Sequence, residues 1–145
     1  MNIFLLSEKD IPNILALYKK DFPDGWTENM LRSGFNGGRL IALGAKNGNN
    51  LIGVITASVG LDDADIEGVV IDSAFRKNGV ATALIEEVEK QIFNNGVNRI
   101  LLEVREGNIP ARSLYEKVGF KTISVRKKYY ADGENALVML KELSE

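Results

Sequence analysis

The chain has 145 residues, enough for a single domain spanning 1–145 that buries roughly two-thirds of the surface its unfolded form exposes. Hydrophobic and charged contents of 45% and 26% are globular values, and a net charge of −2 gives no general attraction to nucleic acid or an anionic membrane. There is no cysteine and no histidine. That excludes disulfides, thiolate metal sites and a cysteine nucleophile, and leaves acid–base chemistry to Asp, Glu, Tyr or Lys.

The N-terminal M-N-I-F-L-L-S-E-K-D has too short an apolar run for a signal peptide and no basic segment before it. No run approaches the ~18 apolar residues of a membrane span. A cytoplasmic location is expected. Ser7 can cap a helix, with Asp10 three residues on, Pro12 in the first turn, and Ile11, Ile14, Leu15 and Tyr18 at helical spacing. Phe22 to Trp26 reads as a loop, and Thr27 as the cap of a shorter helix through Leu31. Leu40 to Lys46 and Leu51 to Gly60 read as strands around the turn Asn47-Gly48-Asn49-Asn50. Asp65 to Ile71 is a third strand.

The stretch Val69 to Thr82 is the most informative. A β-branched run stops at Asp72, a basic turn follows (Arg76, Lys77, Asn78, Gly79), and an amphipathic helix starts. Ala81, Leu84, Ile85, Val88 and Ile92 share one face, and Asn94-Asn95-Gly96 ends the helix. Free N–H groups at such a helix start, its dipole and two cations suit a phosphate-bearing ligand. The bland alternative is a strand–turn–helix whose Gly79 only supplies a left-handed turn.

Asn98 to Val104 reads as a central strand. Alternation puts Ile100, Leu102 and Val104 on one face and Leu101 and Glu103 on the other. Glu103 thus lies near a strand's C-terminal end, where α/β sheets bind ligands, or is a rim glutamate in water. Gly107-Asn108 breaks the strand, and Pro110 to Val118 reads as a short helix closed by Gly119. Tyr115 on it is either a functional phenol or a core tyrosine, and Asn108 either a ligand group or a turn residue. Phe120 to Tyr130 and Ala136 to Leu143 are two strands joined through Asp132-Gly133. The order predicts a mixed α/β sheet with helices on its faces.

Two segments carry a resemblance. Arg76-x-x-Gly79-x-Ala81 is similar to the cofactor turn of the GNAT superfamily of N-acetyltransferases. The run L-E-V-R-x-x-N-x-x-A-x-x-L-Y-x-x-x-G-F, Leu102 to Phe120, resembles more narrowly the ribosomal-protein alanine N-acetyltransferases (the RimI type), as do Arg126 to Met139 and the loop Phe22 to Thr27. Two departures stand out. Asn135 replaces a usually acidic residue, and Gly25 separates Asp24 from Trp26 where many members have Pro before Trp.

The resemblance implies the GNAT fold, a mostly antiparallel sheet of about six to seven strands with helices on both faces. It implies acetyl-CoA as cosubstrate and no metal. The pyrophosphate would sit on backbone of Arg76, Lys77, Asn78, Gly79, Val80, Ala81 and Thr82. Pantetheine would pair with backbone of Val69, Val70 and Ile71, and Asn108 would bond near it. Glu103 would be the base and Tyr115 the acid. Trp26, Tyr129 and Tyr130 would line the acceptor pocket, although the tyrosines could equally be strand-edge packing. The expected partner is a protein N-terminus, with no nucleic acid or membrane, in a monomer or weak homodimer. Two other functions remain open: acetylation of a small amine (polyamine, amino acid or antibiotic), or a non-catalytic acetyl-CoA-binding module.

Overall fold

The computed structural model describes residues 2–21 and 26–144. A seven-stranded sheet runs in the order β1-β2-β3-β4-β5-β7-β6. The strands are β1 (Asn2–Leu5), β2 (Leu40–Asn47), β3 (Asn50–Val59), β4 (Ala64–Ile71), β5 (Arg99–Arg105), β6 (Lys121–Arg126) and β7 (Ala136–Glu142). Among the described residues, only β4 and β5 pair in parallel; every other neighbouring pair is antiparallel. The helices are α1 (Ile11–Asp21), α2 (Glu28–Asn36), α3 (Val80–Asn94) and α4 (Ile109–Lys117).

The local signals explain most boundaries. Ser7 and Asp10 form a reciprocal capping box ahead of a 3-10 turn that leads into α1, and Thr27 accepts from the Met30 N–H to start α2. Gly79 enters α3 at φ +80°, and α4 starts on the Asn108 side chain with Pro110 in its first turn. Three expectations change. The first strand is β1, which pairs with Leu43 to Lys46 of β2 and was not expected. The second helix runs past Leu31 to Asn36. The sixth strand stops at Arg126 rather than Tyr130, because Lys128 takes φ +53° and the chain leaves the sheet.

Consecutive strand residues face opposite ways, so the sheet carries two cores. Leu43, Ile55, Ile66 and Leu102 join α3, with α4 packed at the margin, in the larger cluster. Ala42, Val54 and Val70 join α1 and Leu31 of α2 in the smaller one. Helices therefore cover both faces, α1 and α2 on one and α3 and α4 on the other.

Candidate active site

The parallel pair at the sheet's centre is short. β4 and β5 register only at Ala64 with Ile100 and at Asp65 with Leu101, then part. Just beyond, β4 carries a bulge. Ala57 of β3 pairs with Ile66 and Thr56 with Gly68, leaving Glu67 as the extra residue. From there Val69, Val70 and Ile71 pair with β3 on one side only, so their other backbone edge faces the gap. An extended polar chain can add to such an edge as a strand would.

At one mouth of the gap stands the turn before α3. Asp72 accepts from the Ala74 N–H, the largest of the effects that hold its carboxyl below the usual range. Arg76 donates from Nε to the Ile71 carbonyl, which ties the turn to β4. Lys77 takes φ +66° and Gly79 φ +80°. The first bond within α3 runs from the Ala83 N–H to the Gly79 carbonyl. The N–H groups of Lys77 to Thr82 consequently make no hydrogen bond among the described residues. A run of oriented donors at a helix N-terminus, with cationic side chains beside it, is a site for an anion. A Cβ built on Gly79 meets nothing within 4 Å, so there is open space beside the turn at this residue. Of the expected set, Val80 contributes backbone only, since its side chain is buried in the core.

At the other mouth lies a groove of ≈ 460 Å³ lined by Asp65, Glu67, Leu101, Glu103, Arg126, Tyr129 and Tyr130, among others. The alternation in β5 is as read: Ile100, Leu102 and Val104 are buried, and Glu103 turns toward the groove. Its side chain is 33% exposed, pairs with Arg126 Nε at 2.7 Å and accepts from the Tyr129 hydroxyl at 3.1 Å. Glu103 is therefore held by partners rather than loose in water. Burial foremost, then Glu67, Asp63 and Glu103, raise the pKa of Asp65. The hydrogen bond to Glu103 raises that of Tyr129.

Tyr115 comes from α4 on the face opposite the groove. Its ring packs edge-on against Phe120, at 5.9 Å between centroids, so the core reading holds for the ring. Its hydroxyl makes no hydrogen bond among the described residues, and burial pushes its pKa up to about 12. It is a neutral phenol throughout the physiological range. Asn108 Oδ1 caps α4 by accepting from the Ala111 N–H at 3.2 Å. The turn reading of Asn108 thus accounts for its oxygen, while its amide nitrogen remains a donor for a ligand.

Tyr129 and Tyr130 stand edge-on at 5.1 Å, and they are fixed by residues that composition and spacing did not single out. The Arg105 guanidinium lies 4.0 Å from the Tyr130 ring centroid and bonds Glu134 and Asp132, each at 2.9 Å. Glu134 also accepts the Gly107 N–H. Asn135 accepts the Lys128 N–H and donates to Glu106. The uncharged amide at 135 therefore serves the loop's own shape rather than the groove. Trp26 is part-buried against the α1–α2 core and is not among the residues that line the groove. Phe22 to Gly25 lie outside the described residues. Two groups near the gap were also unforeseen as site residues. Glu67 sits at the bulge, and Tyr18 reaches Thr56. The pairing and packing that bring them there are long-range, and nothing in their local sequence marks them.

The model of the Acetyltransferase (GNAT) family matches residues 11–120. A ribosomal protein bS18-alanine N-acetyltransferase of Haemophilus ducreyi is 33% identical over 136 residues, covering 91% of this chain and 93% of that one. The crystal structure of the Escherichia coli ribosomal-protein-S18-alanine N-acetyltransferase superposes with a TM-score of 0.89 at 27% identity, over 99% of this chain and 94% of that one. An aminoglycoside 6'-N-acetyltransferase complexed with coenzyme A shares the fold, with a TM-score of 0.86 at 18% identity over 100% and 98% of the two chains.

Proposed function

The chain belongs to the GNAT family of acetyltransferases and is an N-acetyltransferase, and from that premise we propose that it acetylates the N-terminal α-amine of a protein, of the ribosomal-protein alanine type, by direct transfer from acetyl-CoA. The observation that carries this reading is the gap itself, with a donor-lined turn at one mouth and an acidic, tyrosine-walled groove at the other.

Acetyl-CoA would lay its pyrophosphate on the N–H groups of Lys77 to Thr82 and its pantetheine along Val69 to Ile71, with Asn108 bonding nearby. The acceptor would enter the groove between Glu103 and the Tyr129–Tyr130 pair. A protein α-amine has a pKa of about 8, against about 10.4 for lysine, so little driving force is needed to deprotonate it. Glu103, through water, takes that proton. The neutral amine attacks the thioester carbonyl, the C–N bond forms, and a strand N–H bonds the oxyanion. The C–S bond then breaks, and the nitrogen, cationic since the attack, gives up its second proton to water as the amide forms. Tyr115 meets the leaving sulfur, but a phenol at about 12 is a weaker acid than a thiol at about 8.5. Its contribution is a hydrogen bond to the thiolate, which leaves with its charge and is protonated from solvent. No acyl-enzyme is needed.

Two of the relatives named above are alanine N-acetyltransferases of ribosomal protein S18, and the groove's aromatic walls suit the first residues of a chain. One observation favours a second reading. Asp65, Glu67 and Glu103 outnumber Arg126 in the groove, which also suits a polyamine. An acetyl-CoA consumption assay decides between them. N-terminal peptides should turn over faster than spermidine, free amino acids or aminoglycosides, and the reverse order would replace the peptide reading.

A further inference from the structure

Tyr18 lies on α1, on the sheet face opposite α4, and is 3% exposed. Its hydroxyl is 3.3 Å from Thr56 Oγ1, itself fully buried. It also rests on the backbone of Gly68, where an added Cβ would stand 2.7 Å from it. Gly68 is the first residue after the bulged Glu67, at the point where β4 has parted from β5. Thr56, Glu67 and Tyr115 are among the electrostatic neighbours of the hydroxyl. Tyr115 approaches from the other face, so the two phenols flank the gap from opposite sides of the sheet.

A fully buried phenol in a core ordinarily finds a partner and stops there. This one is placed where a glycine admits it, beside the backbone on which the thioester would lie. We propose that the Tyr18 hydroxyl, anchored by Thr56 over Gly68, is a further positioning group of the reaction, accepting an N–H of the attacking amine so that its lone pair faces the thioester carbonyl. A phenol can donate and accept at once. Either hydroxyl can donate in the bond to Thr56; with Tyr18 as donor, its oxygen is the acceptor that this role requires. Burial raises its pKa to about 12, so it remains a neutral hydroxyl at every working pH. Tyr115 then serves the departing sulfur on one face and Tyr18 the arriving nitrogen on the other. The inference rests on the acetyl-transfer reading above, and it holds for a peptide or a small amine alike.

The test is Tyr18→Phe, which keeps the ring that fills the core. Acetyl transfer is measured to an N-terminal alanyl peptide, to its N-methylalanyl counterpart, which has one N–H fewer, and to spermidine. One lost hydrogen bond should lower kcat about 3–10-fold, with the KM for acetyl-CoA unchanged and the melting temperature lowered by the loss of the buried bond to Thr56. The wild type should discriminate against the N-methyl amine, and Tyr18→Phe should discriminate less. Thr56→Val, which removes the anchor at equal volume, should act in the same direction. Equal losses toward both amines would mark a structural role and overturn the proposal, as would an undiminished kcat in both variants. If the wild type transfers to spermidine and to no peptide, the peptide reading falls instead, and the Tyr18→Phe comparison is read on spermidine.

Discussion

Gly79 offers the sharpest test of the cofactor side. Its φ of +80° is left-handed, and a Cβ there meets nothing within 4 Å. A side chain at 79 therefore brings no clash, only backbone strain of about 1–2 kcal/mol, less for Asn or Asp, which tolerate this region. Gly79→Asn and Gly79→Asp carry that strain equally and nearly the same volume, and they differ by one charge. If the pyrophosphate sits on the donors of Lys77 to Thr82, the Asp carboxylate stands about 5 Å from it. One pair of like charges at that distance costs about 0.8 kcal/mol at a dielectric of about 80 and about 3 kcal/mol at about 20. The affinity of Gly79→Asp for acetyl-CoA should then fall about tenfold below that of Gly79→Asn. The gap should narrow in high salt, which screens exposed charges. Calorimetry of the two proteins, at low and high salt, measures the difference directly. Equal affinities would show that the phosphates lie elsewhere and would remove this turn from the site.

Four further outcomes follow from the geometry. Tyr115→Phe removes one hydrogen bond to a charged leaving group and should lower kcat by about 10–10²-fold, leaving acetyl-CoA affinity unchanged; a near-normal kcat would dismiss Tyr115 from the chemistry. With Tyr115 at about 12, the wild-type rate should climb as the acceptor amine deprotonates and show no alkaline fall from the phenol below about pH 11, and a descending limb near pH 9 would contradict that assignment. Tyr130→Ala should raise the KM for peptide several-fold while acetyl-CoA binding, measured by calorimetry, stays constant. Arg105, first, and the Gly107 N–H hold Glu134 below the usual carboxylate range. A depressed folded-state pKa gives stability that is present above about pH 4.3 and lost as pH falls through the folded value. The loop of residues 128–135 should therefore loosen in acid before the sheet unfolds, seen as earlier loss of its hydrogen-exchange protection than in β5.

What local sequence could say, it said well. Gly79 and Asn95-Gly96 bound α3 because a left-handed entry and a C-terminal stop are properties of single residues. The alternation of β5 placed Glu103 on the groove face because period two needs no knowledge of neighbours. β1 escaped notice because four residues become a strand only when β2 supplies the partner. α2 ran past Leu31 despite Gly34, whose missing side chain lets the helix approach Leu40: a Cβ there would meet Leu40 Cδ2 at 2.9 Å. The parting of β4 from β5, the bulge at Glu67 and the reach of Tyr18 are products of pairing between distant segments. A repeat or propensity cannot announce them.

The fastening of the loop that carries Tyr129 and Tyr130 has a consequence for engineering. Tyr129 is held by Glu103 and Arg126, and residues 130–135 are tied down by groups from 105–107: the Arg105 guanidinium, the Glu106 main chain and carboxylate, and the Gly107 N–H. A Cβ at Gly107 would come 2.6 Å from Glu134 Oε2, so even alanine there would dislodge the tie. The loop and the Arg105–Gly107 corner form one exchangeable cassette. A graft that moved the tyrosines to a sister enzyme without that corner would transplant the walls and leave their foundations behind.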